Sequence, residues 1–300
     1  MSTTETERTV ERPTAGNGFS VDVWITLKRW LRKTVRNSAV VFETLITPVI
    51  FLLLFTQVFG QIAGGPIREL YGANVTYVTF LTPAIVILSA MGVGIHSGMG
   101  WLGDMESGMF EKILVSPTHR GAMFLGKSLA DVIQIVVETG VVLVIGYTIL
   151  WLDSGGSVST FIQTGIGGML GVFAIVIVFS LWFTAYSNVV ALVTKDVTST
   201  AIWVYLVQYP LLFASSAFVP VNDLPKWMQI VATVNPVTYG VDAVRALMLG
   251  QNVLAVIDVT AFSSIWNTIV PAVVVLGVCD LVLGGMAVVL LGRVASSRVG

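Results

Sequence analysis

Long apolar runs are the feature that most constrains how this chain folds. Its mean hydropathy is +0.87 and only 11% of its 300 residues are charged, whereas soluble domains carry about 25%. A helix of about 20 mostly apolar residues crosses a bilayer, and a lone segment in lipid satisfies its own backbone hydrogen bonds only as a helix. The sequence therefore predicts an all-α integral membrane protein with six transmembrane helices, near residues 38–60, 75–96, 123–152, 161–186, 200–219 and 268–292.

The positions of lysine and arginine predict the orientation of the chain. Cytoplasmic connections carry an excess of these residues, and here they concentrate before the first span, in the second connection and in the C-terminal tail. Both termini are therefore expected in the cytoplasm, with the spans in the plasma membrane. Residues 1–19 are polar and lack an apolar core, which predicts a disordered cytoplasmic tail. Residues 20–300 form the predicted membrane domain.

The segment before the first span has the periodicity of an amphipathic helix. Trp24, Leu27, Leu31 and Val35 fall on one helical face, and basic residues fall on another. Such a helix lies in the lipid headgroup layer and is attracted to anionic lipid. A simple positively charged anchor accounts for the same pattern, and contact with a partner protein would be additional to it.

The stretch "GAMFLGKS" at residues 121–128 fits the pattern of a phosphate-binding loop. A real phosphate loop directly follows a buried strand and uses small residues so that its backbone N–H groups surround the phosphates. Here Met123, Phe124 and Leu125 would fill that space. We therefore predict that the chain does not hydrolyse ATP, that Gly121 breaks the chain, and that Lys127 anchors the third span at the interface.

Two connections are too long to be simple turns. The cytoplasmic one, residues 104–120, contains "EKIL", which suits a short amphipathic helix that the following proline would end. The external one follows the fifth predicted span and is divided by three prolines. Its two apolar pieces, within residues 224–249, are too short to cross a bilayer. They are predicted to be two short external re-entrant helices in the outer leaflet.

These two connections resemble those of permease subunits of type-2 ABC exporters, in the daunorubicin-resistance and multidrug branch. The resemblance depends on "ESGMFEKILVSP" followed by an arginine and Gly-Lys, and on "NPVTYGVDAVR". The chain departs from the family pattern at Met105, where an arginine is usual, and at Met109 and Phe110 in place of Thr-Leu. A glycine that usually precedes the Phe-x-Pro motif is replaced by Ser216.

The resemblance implies a non-hydrolytic permease that moves amphipathic drugs or lipids by alternating access, with polysaccharide as the alternative cargo. ATP and Mg²⁺ would bind to a separate ATPase subunit, and this chain would bind no cofactor. A second permease copy, identical or related, and membrane lipid are the other expected partners, and nucleic acid is not expected. The two histidines and one cysteine are dispersed, so no metal site is predicted.

The resemblance also implies roles for particular residues. A coupling helix within residues 104–120 would contact the ATPase through Glu106, Phe110, Glu111, Lys112, Leu114, Ser116, Pro117 and Arg120. The second and fifth spans would line the substrate pathway, with Tyr205, Gln208, Tyr209, Phe213 and Met91 as candidates. The external helices carry Trp227, Asn235, Tyr239, Asp242 and Arg245. The last two lie three residues apart on one helix and can pair, either to position the helix or to contact substrate.

Ionisable residues inside spans are functional candidates. Asp131 and Glu138 lie on one face of the third span, and Asp280 lies in the sixth. Structural pairing explains them, and the alternative is a proton or ion path in a stand-alone secondary transporter. Glu43 is close enough to the end of the first span for its carboxylate to reach water, so no functional role is assigned to it.

Overall fold

The computed structural model describes residues 18–114, 116, 118–155, 157–254, 256–257 and 260–297, and of 291–297 the backbone alone. These residues form helices and connections without a strand, which confirms the predicted all-α fold. The helices are α1 (Phe19–Arg36), α2 (Ser38–Tyr71), α3 (Tyr77–Glu106), α4 (Met109–Leu114), α5 (Arg120–Ser154), α6 (Val158–Phe161), α7 (Gly165–Thr194), α8 (Val197–Phe213), α9 (Lys226–Val234), α10 (Pro236–Leu249) and α11 (Trp266–Ser297), with a 3₁₀ turn at Val221–Asp223.

Five helices are long and apolar enough to cross a membrane: α2, α3, α5, α7 and α11. The fifth predicted span corresponds to α8, which is apolar but has only 17 residues, about 25 Å of helix. It ends at Phe213 rather than at 219, because the chain then turns into the connection that leads to α9. The number of six spans therefore stays a prediction.

Two predicted spans continue well beyond their predicted ends. α2 continues to Tyr71 and α3 to Glu106. Glycines with positive φ follow both ends, Gly72 at 105° and Gly108 at 67°. A glycine adopts this conformation at little cost and so terminates a helix. Apolar composition marks the part of a helix that suits lipid, whereas the helix itself extends to the next residue that can end it.

Side-chain caps fix several helix starts. The Thr79 amide donates to the Thr76 hydroxyl at the start of α3, and the Ser199 amide donates to the Asp196 carboxylate at 2.6 Å at the start of α8. A capping side chain satisfies a backbone N–H group that has no partner within the helix. Because the hydrogen bond from Ser199 favours the charged carboxylate, it lowers the pKa of Asp196.

The centre of the bundle is α3. Its most apolar stretch is 94% buried, compared with 11% for α11, and it packs against α2, α5, α7, α8 and α10. Gly94 and Gly98 allow α7 to approach closely: an added Cβ would lie 2.8 Å from the Phe183 ring and 2.8 Å from the Ser187 carbonyl oxygen, respectively. Small residues four positions apart on one helix face permit such close packing of two helices.

At one end of the bundle, here called the α1 end, α1 packs against α5 and α2. α1 begins at Phe19, the last residue of the predicted tail, and residues 1–17 lie outside the described part. Leu27 is buried, but Trp24 and Val35 are 62% and 74% exposed. The predicted apolar face is thus partly covered by the bundle and partly exposed, and its position in the headgroup layer stays a prediction. Trp30 of α1 is also buried, because the side of α1 that contacts α5 and α3 is not the side that the sequence pattern marks as apolar.

The segment "GAMFLGKS" forms the first turns of α5. The amides of Ala122 and Met123 both donate to the His119 carbonyl, so they are not available to a phosphate group. Gly121 is inside the helix and does not break the chain, contrary to the prediction. Gly126 lies where α1 crosses α5: an added Cβ would be 2.7 Å from the Thr26 Cβ and 2.8 Å from the carbonyl oxygen of residue 23. The second glycine of the motif therefore serves helix packing.

Candidate functional site

A cavity of about 120 Å³ lies between α2, α3 and α8. It is a polar site within an apolar bundle, because each of the three helices contributes side chains with polar groups. These side chains include Glu43, Ser89, His96, Tyr205, Gln208 and Tyr209.

A carboxylate of α2 is held at the cavity by groups from two other helices. The Tyr205 hydroxyl donates to Oε1 of Glu43 at 3.0 Å. The Nε2 atom of His96 is 3.7 Å from the other oxygen of the same carboxylate. The rings of Tyr205 and Tyr209 stack with centroids 5.9 Å apart and an interplanar angle of 15°. The site thus joins one acidic group to an aromatic pair.

Three of the five predicted pathway residues line this cavity: Tyr205, Gln208 and Tyr209. Phe213 is 49% exposed at the last position of α8, and its ring packs against a neighbouring phenylalanine. Met91 is fully buried and belongs to the central core. It does not line the cavity.

Glu43 and His96 are site residues that the sequence analysis missed. Each was judged alone, Glu43 as a residue near a span end and His96 as an isolated histidine. A weak signal was present, because Leu88, Gly92 and His96 recur every four residues and share a face of α3. The cavity uses that face. Nothing in the sequence indicated that Tyr205, 162 positions from Glu43, would meet it.

A cluster of charges around one tryptophan fastens α1 to the bundle. We call Arg29, Trp30, Lys33, Asp104 and Lys127 the Trp30 clamp. The three cationic groups, two from α1 and one from α5, lie 4.5–4.7 Å from the centroid of the Trp30 ring. Arg29 and Lys33 also bind the two oxygens of Asp104, at 2.8 and 2.7 Å. Cations over an aromatic face are attracted to its π electrons, so ring and carboxylate together hold α1 on α3 and α5.

Lys127 is buried rather than anchored at the interface, which corrects the prediction. Its ammonium group binds Asp131 at 2.5 Å and Ser97 at 3.0 Å. The Ser97 hydroxyl in turn donates to Asp131 at 2.7 Å. A buried charge needs a counter-charge and hydrogen bonds, and this triad supplies both within α3 and α5.

The other two acidic candidates of the proton-path alternative lie in separate surroundings. Glu138 accepts hydrogen bonds from Gln134 at 2.9 Å and Ser89 at 3.3 Å. Asp280 lies on α11, which packs against α7 and α10. Among the described residues, no hydrogen bond connects Asp280 to Glu138 or Asp131. The structure therefore brings these three carboxylates to no common site.

The predicted coupling segment occupies the end of α3, all of α4 and the start of α5. Glu106 is the exposed last residue of α3, and Lys112 is exposed on α4. The Ser116 hydroxyl donates to the Ile113 carbonyl at 2.7 Å. Pro117 lies outside the described residues. The structure describes the backbone alone of Phe110, Glu111, Leu114 and Arg120.

A second contact fastens α1 beside this segment. Asp22 is only 2% exposed, and its Oδ2 accepts the His119 amide at 3.0 Å and lies 2.9 Å from the His119 ring Nδ1. These two hydrogen bonds lower the pKa of Asp22, because they favour the charged carboxylate. The connection between α4 and α5 is thereby tied to the first turn of α1.

At the opposite end, here called the α10 end, a fully buried arginine joins three segments. Arg245 donates to Asp242 at 2.9 Å and to the Ser216 carbonyl at 2.9 Å. It also donates to the Phe80 carbonyl at 3.3 Å and lies 3.9 Å from the Phe80 ring centroid. The Ser216 hydroxyl donates to Asp242 at 2.6 Å. We call these four residues the Arg245 anchor. Their contacts position α10 against α3 and the connection after α8.

Two of the other residues predicted for the external helices connect α9 and α10 to the end of α8. The Asn235 side chain donates to the carbonyls of Leu211 and Ala214, at 2.6 and 2.9 Å. It also caps α10. The Tyr239 hydroxyl donates to a carbonyl of α9 at 2.8 Å. Trp227 is 64% exposed on α9 and is free to face lipid or a partner. Among the described residues, no group of three His, Cys, Asp or Glu is placed to hold a metal ion.

Comparison with known proteins places the chain among membrane transporters. A family model described as ABC-2 type transporter matches residues 21–249. A daunorubicin resistance ABC transporter permease, DrrB1 of Streptomyces coeruleorubidus, is 28% identical over 69% of this chain and 68% of its own length. The probable doxorubicin resistance permease DrrC of Mycobacterium tuberculosis is 24% identical over 79% and 80%. The probable multidrug permease YbhR of Escherichia coli K12 is 22% identical over 70% and 52%. This chain belongs to the ABC-2 type transporter family of multi-pass membrane proteins.

Proposed function

We propose that this chain is the permease subunit of an ATP-driven exporter that moves amphipathic drugs or lipids out of the cytoplasm. The observation that carries the proposal is the polar and aromatic cavity between α2, α3 and α8. An apolar pocket with a few convergent polar groups is the usual form of a small-molecule site. The names of the relatives, which are drug-resistance and multidrug permeases, agree with such a cargo.

The α1 end is the proposed contact with a separate ATPase subunit. α4 is a short helix between two long ones, α3 and α5, and it packs against α3. The Trp30 clamp and the Asp22–His119 contact tie the neighbouring segments together. A push on α4 would therefore move α1, α3 and α5 as a unit, and α3 lines the cavity. This end carries the excess of basic residues and is assigned to the cytoplasm of a plasma membrane.

The face formed by α2 and α8 is the proposed contact with a second permease copy, identical or related. Large apolar side chains of both helices are exposed there: Phe42, Ile50 and Leu54 on α2, and Ile202 and Leu206 on α8. The cavity lies at the same pair of helices. Two copies meeting across this face would enclose the cargo between them, and alternating access would open that space to either side.

Transport by the purified chain tests the proposal. The chain is reconstituted in vesicles with and without a candidate ATPase, and uptake of a fluorescent amphipathic dye is followed. We expect uptake only with the ATPase and ATP. Uptake by the chain alone, driven by a proton gradient and unaffected by ATP, would contradict the proposal and favour a secondary transporter.

The coupling role of α4 has its own test. Glu111→Ala combined with Leu114→Ala should leave the complex assembled but abolish the stimulation of ATP hydrolysis by cargo. The control is Ile230→Ala with Val234→Ala, two exposed positions on α9 at the other end, which should keep the stimulation. Normal stimulation in the α4 variant would refute the docking assignment.

A further inference from the structure

The cavity between α2, α3 and α8 offers a ligand at least two groups that accept hydrogen bonds, the carboxylate of Glu43 and the side-chain carbonyl of Gln208. The Tyr205 hydroxyl already donates to Glu43, and the Ser89 hydroxyl donates to Glu138. The carboxylate of Glu43 can accept further hydrogen bonds. Gln208 is 3% exposed, lines the cavity, and its carbonyl oxygen has no hydrogen-bond partner among the described residues. A buried acceptor without a donor is costly, and a bound group with N–H donors would supply what it lacks.

The aromatic walls of the cavity favour the same kind of ligand. Tyr205 and Tyr209 stack face to face at the cavity. The faces of aromatic rings are negative and attract cations. The carboxylate of Glu43 lies directly beside this stack, through its hydrogen bond with the Tyr205 hydroxyl. An ammonium group placed here would meet a negative charge, a carbonyl oxygen and aromatic faces together.

The nearby lysines of the protein do not neutralise Glu43. Lys127 is bound to Asp131, and Lys33 is bound to Asp104. Among the described residues, the titratable groups that face the carboxylate are Tyr205, which donates to it as a neutral hydroxyl, and His96, at 3.7 Å. An ordinary imidazole is neutral above about pH 6.5. A half-exposed carboxylate could simply reach towards water, but the hydrogen bond from Tyr205 holds it over the cavity.

We propose that the cavity binds the cationic amine of an amphipathic cargo, with Glu43 as the counter-charge, Tyr205 and Tyr209 as the aromatic wall, and Gln208 as a further acceptor. The inference rests on the proposed function, since it names the class of cargo for the same site. It makes Glu43, rather than an apolar residue, the determinant of specificity. The apolar part of the cargo would lie along the exposed aliphatic surfaces of α2 and α8.

Direct binding to the full chain in neutral-lipid nanodiscs at pH 8 tests this inference. Three probes share a dansyl fluorophore and a short alkyl chain and end in a primary ammonium, its acetylated neutral form, or a carboxylate. Hydrogen bonds to charged groups contribute enough for a difference of about tenfold or more in affinity. We expect the ammonium probe to bind at least about tenfold more tightly than the acetylated one, and the carboxylate probe to bind most weakly.

Variants of similar size test whether Glu43 and Gln208 cause the preference for the ammonium probe. Glu43→Gln keeps an acceptor for Tyr205 but removes the charge, and should abolish the preference for the ammonium probe. Glu43→Asp should retain most of it, and Gln208→Met should weaken ammonium binding several-fold. The control is Glu69→Gln, the same change at an exposed position of the same helix, which should bind like the unchanged protein. Thermal unfolding of each variant verifies that it is folded.

The outcomes separate this inference from the proposed function. Equal binding of the ammonium and acetylated probes, or a preference that survives in Glu43→Gln, would overturn the inference. The titration requires no ATPase. If the ammonium probe binds as expected but ATP never drives its uptake in the complex, the inference stands and the exporter function is wrong.

Discussion

The two ends of the bundle are fastened by arginine and lysine clusters of different construction. In the Arg245 anchor the guanidinium group is 0% exposed and binds mainly backbone carbonyls, together with one carboxylate. In the Trp30 clamp the cations of Arg29 and Lys33 are 29% and 43% exposed, and they bind mainly one side-chain carboxylate and a tryptophan ring, with one long hydrogen bond of 3.4 Å from Lys33 to the Gly100 carbonyl. One end is closed to water, whereas the other remains partly hydrated.

This difference has a mechanical consequence. Backbone carbonyls are fixed by the fold, so the Arg245 anchor can be broken only by separating α10 from α3. Exposed ion pairs contribute little individually and are screened by salt, so the contacts of Arg29 and Lys33 with Asp104 hold α1 less strongly than the Arg245 anchor holds α10. The α10 end is therefore the more firmly fastened of the two.

The largest expected effect is the loss of the Arg245 anchor. Arg245→Met leaves Asp242 buried without its counter-charge, and breaking a buried pair in this way costs about 3–5 kcal/mol. We expect little folded protein and a strongly lowered melting temperature in detergent. Arg68→Met, at an exposed position on α2, is the control and should melt normally.

A double replacement sharpens the interpretation. Asp242→Leu with Arg245→Met removes both charges, and replacement of a buried pair by apolar residues is often neutral or stabilising. The double variant should therefore be more stable than Arg245→Met alone. If it is equally unstable, the hydrogen bonds to the backbone carbonyls contribute more than the charge balance.

Much of this fold is predictable from local properties of the sequence. Apolar runs predicted the long helices, and prolines with short apolar pieces predicted α9 and α10. The Asp242–Arg245 pair was foreseen because residues three apart on a helix are neighbours. These signals require only nearby residues, and helical periodicity converts them directly into faces.

The contacts that define the site and the Trp30 clamp join residues far apart in the chain. Arg29 and Asp104 are 75 positions apart, and Tyr205 and Glu43 are 162 apart. Periodicity states which side of a helix is apolar but not which helix will cover it. For that reason Trp30, Asp22 and Lys127 were predicted to be interfacial or were not singled out, and all three are buried.

The second-largest effect concerns the most buried cation at the α1 end. Lys127→Met removes the counter-charge of Asp131 and one cation of the Trp30 clamp. Asp131 keeps its hydrogen bond from Ser97, and its side chain is 12% exposed compared with 1% for Asp242. Because Asp131 is the less desolvated of the two carboxylates, the melting temperature should fall by less than in Arg245→Met. The control is Lys112→Met, at an exposed position on α4. A larger loss for Lys127→Met than for Arg245→Met would reverse the comparison of the two ends.

Helix packing at the α1 end gives a prediction in which two similar changes have opposite signs. Gly126→Ala places a methyl group against α1, 2.7 Å from the Thr26 Cβ, and overpacking typically costs about 1–3 kcal/mol. Gly140 lies in the same helix, and an added Cβ there meets nothing within 4 Å. Gly140→Ala should stabilise by up to about 1 kcal/mol, since alanine is the better helix former. Melting temperatures of the two variants test this, and equal shifts would contradict the close crossing of α1 and α5.

The smallest expected effect is the acid sensitivity of the contact between Asp22 and His119. The hydrogen bonds from His119 lower the pKa of Asp22 in the folded protein below its usual value of 3.8. A carboxyl group with a lowered pKa stabilises the fold above its unfolded pKa, and that stabilisation is lost as the pH falls through its folded pKa. Between pH 6 and pH 3, the melting temperature should therefore fall less in Asp22→Asn than in the unchanged protein. Glu69→Gln, an exposed position on α2, should follow the unchanged protein. If Asp22→Asn loses as much stability in acid as that control, the contact adds nothing to the attachment of α1, which then depends on the Trp30 clamp and on the packing of α1 against α5 and α2.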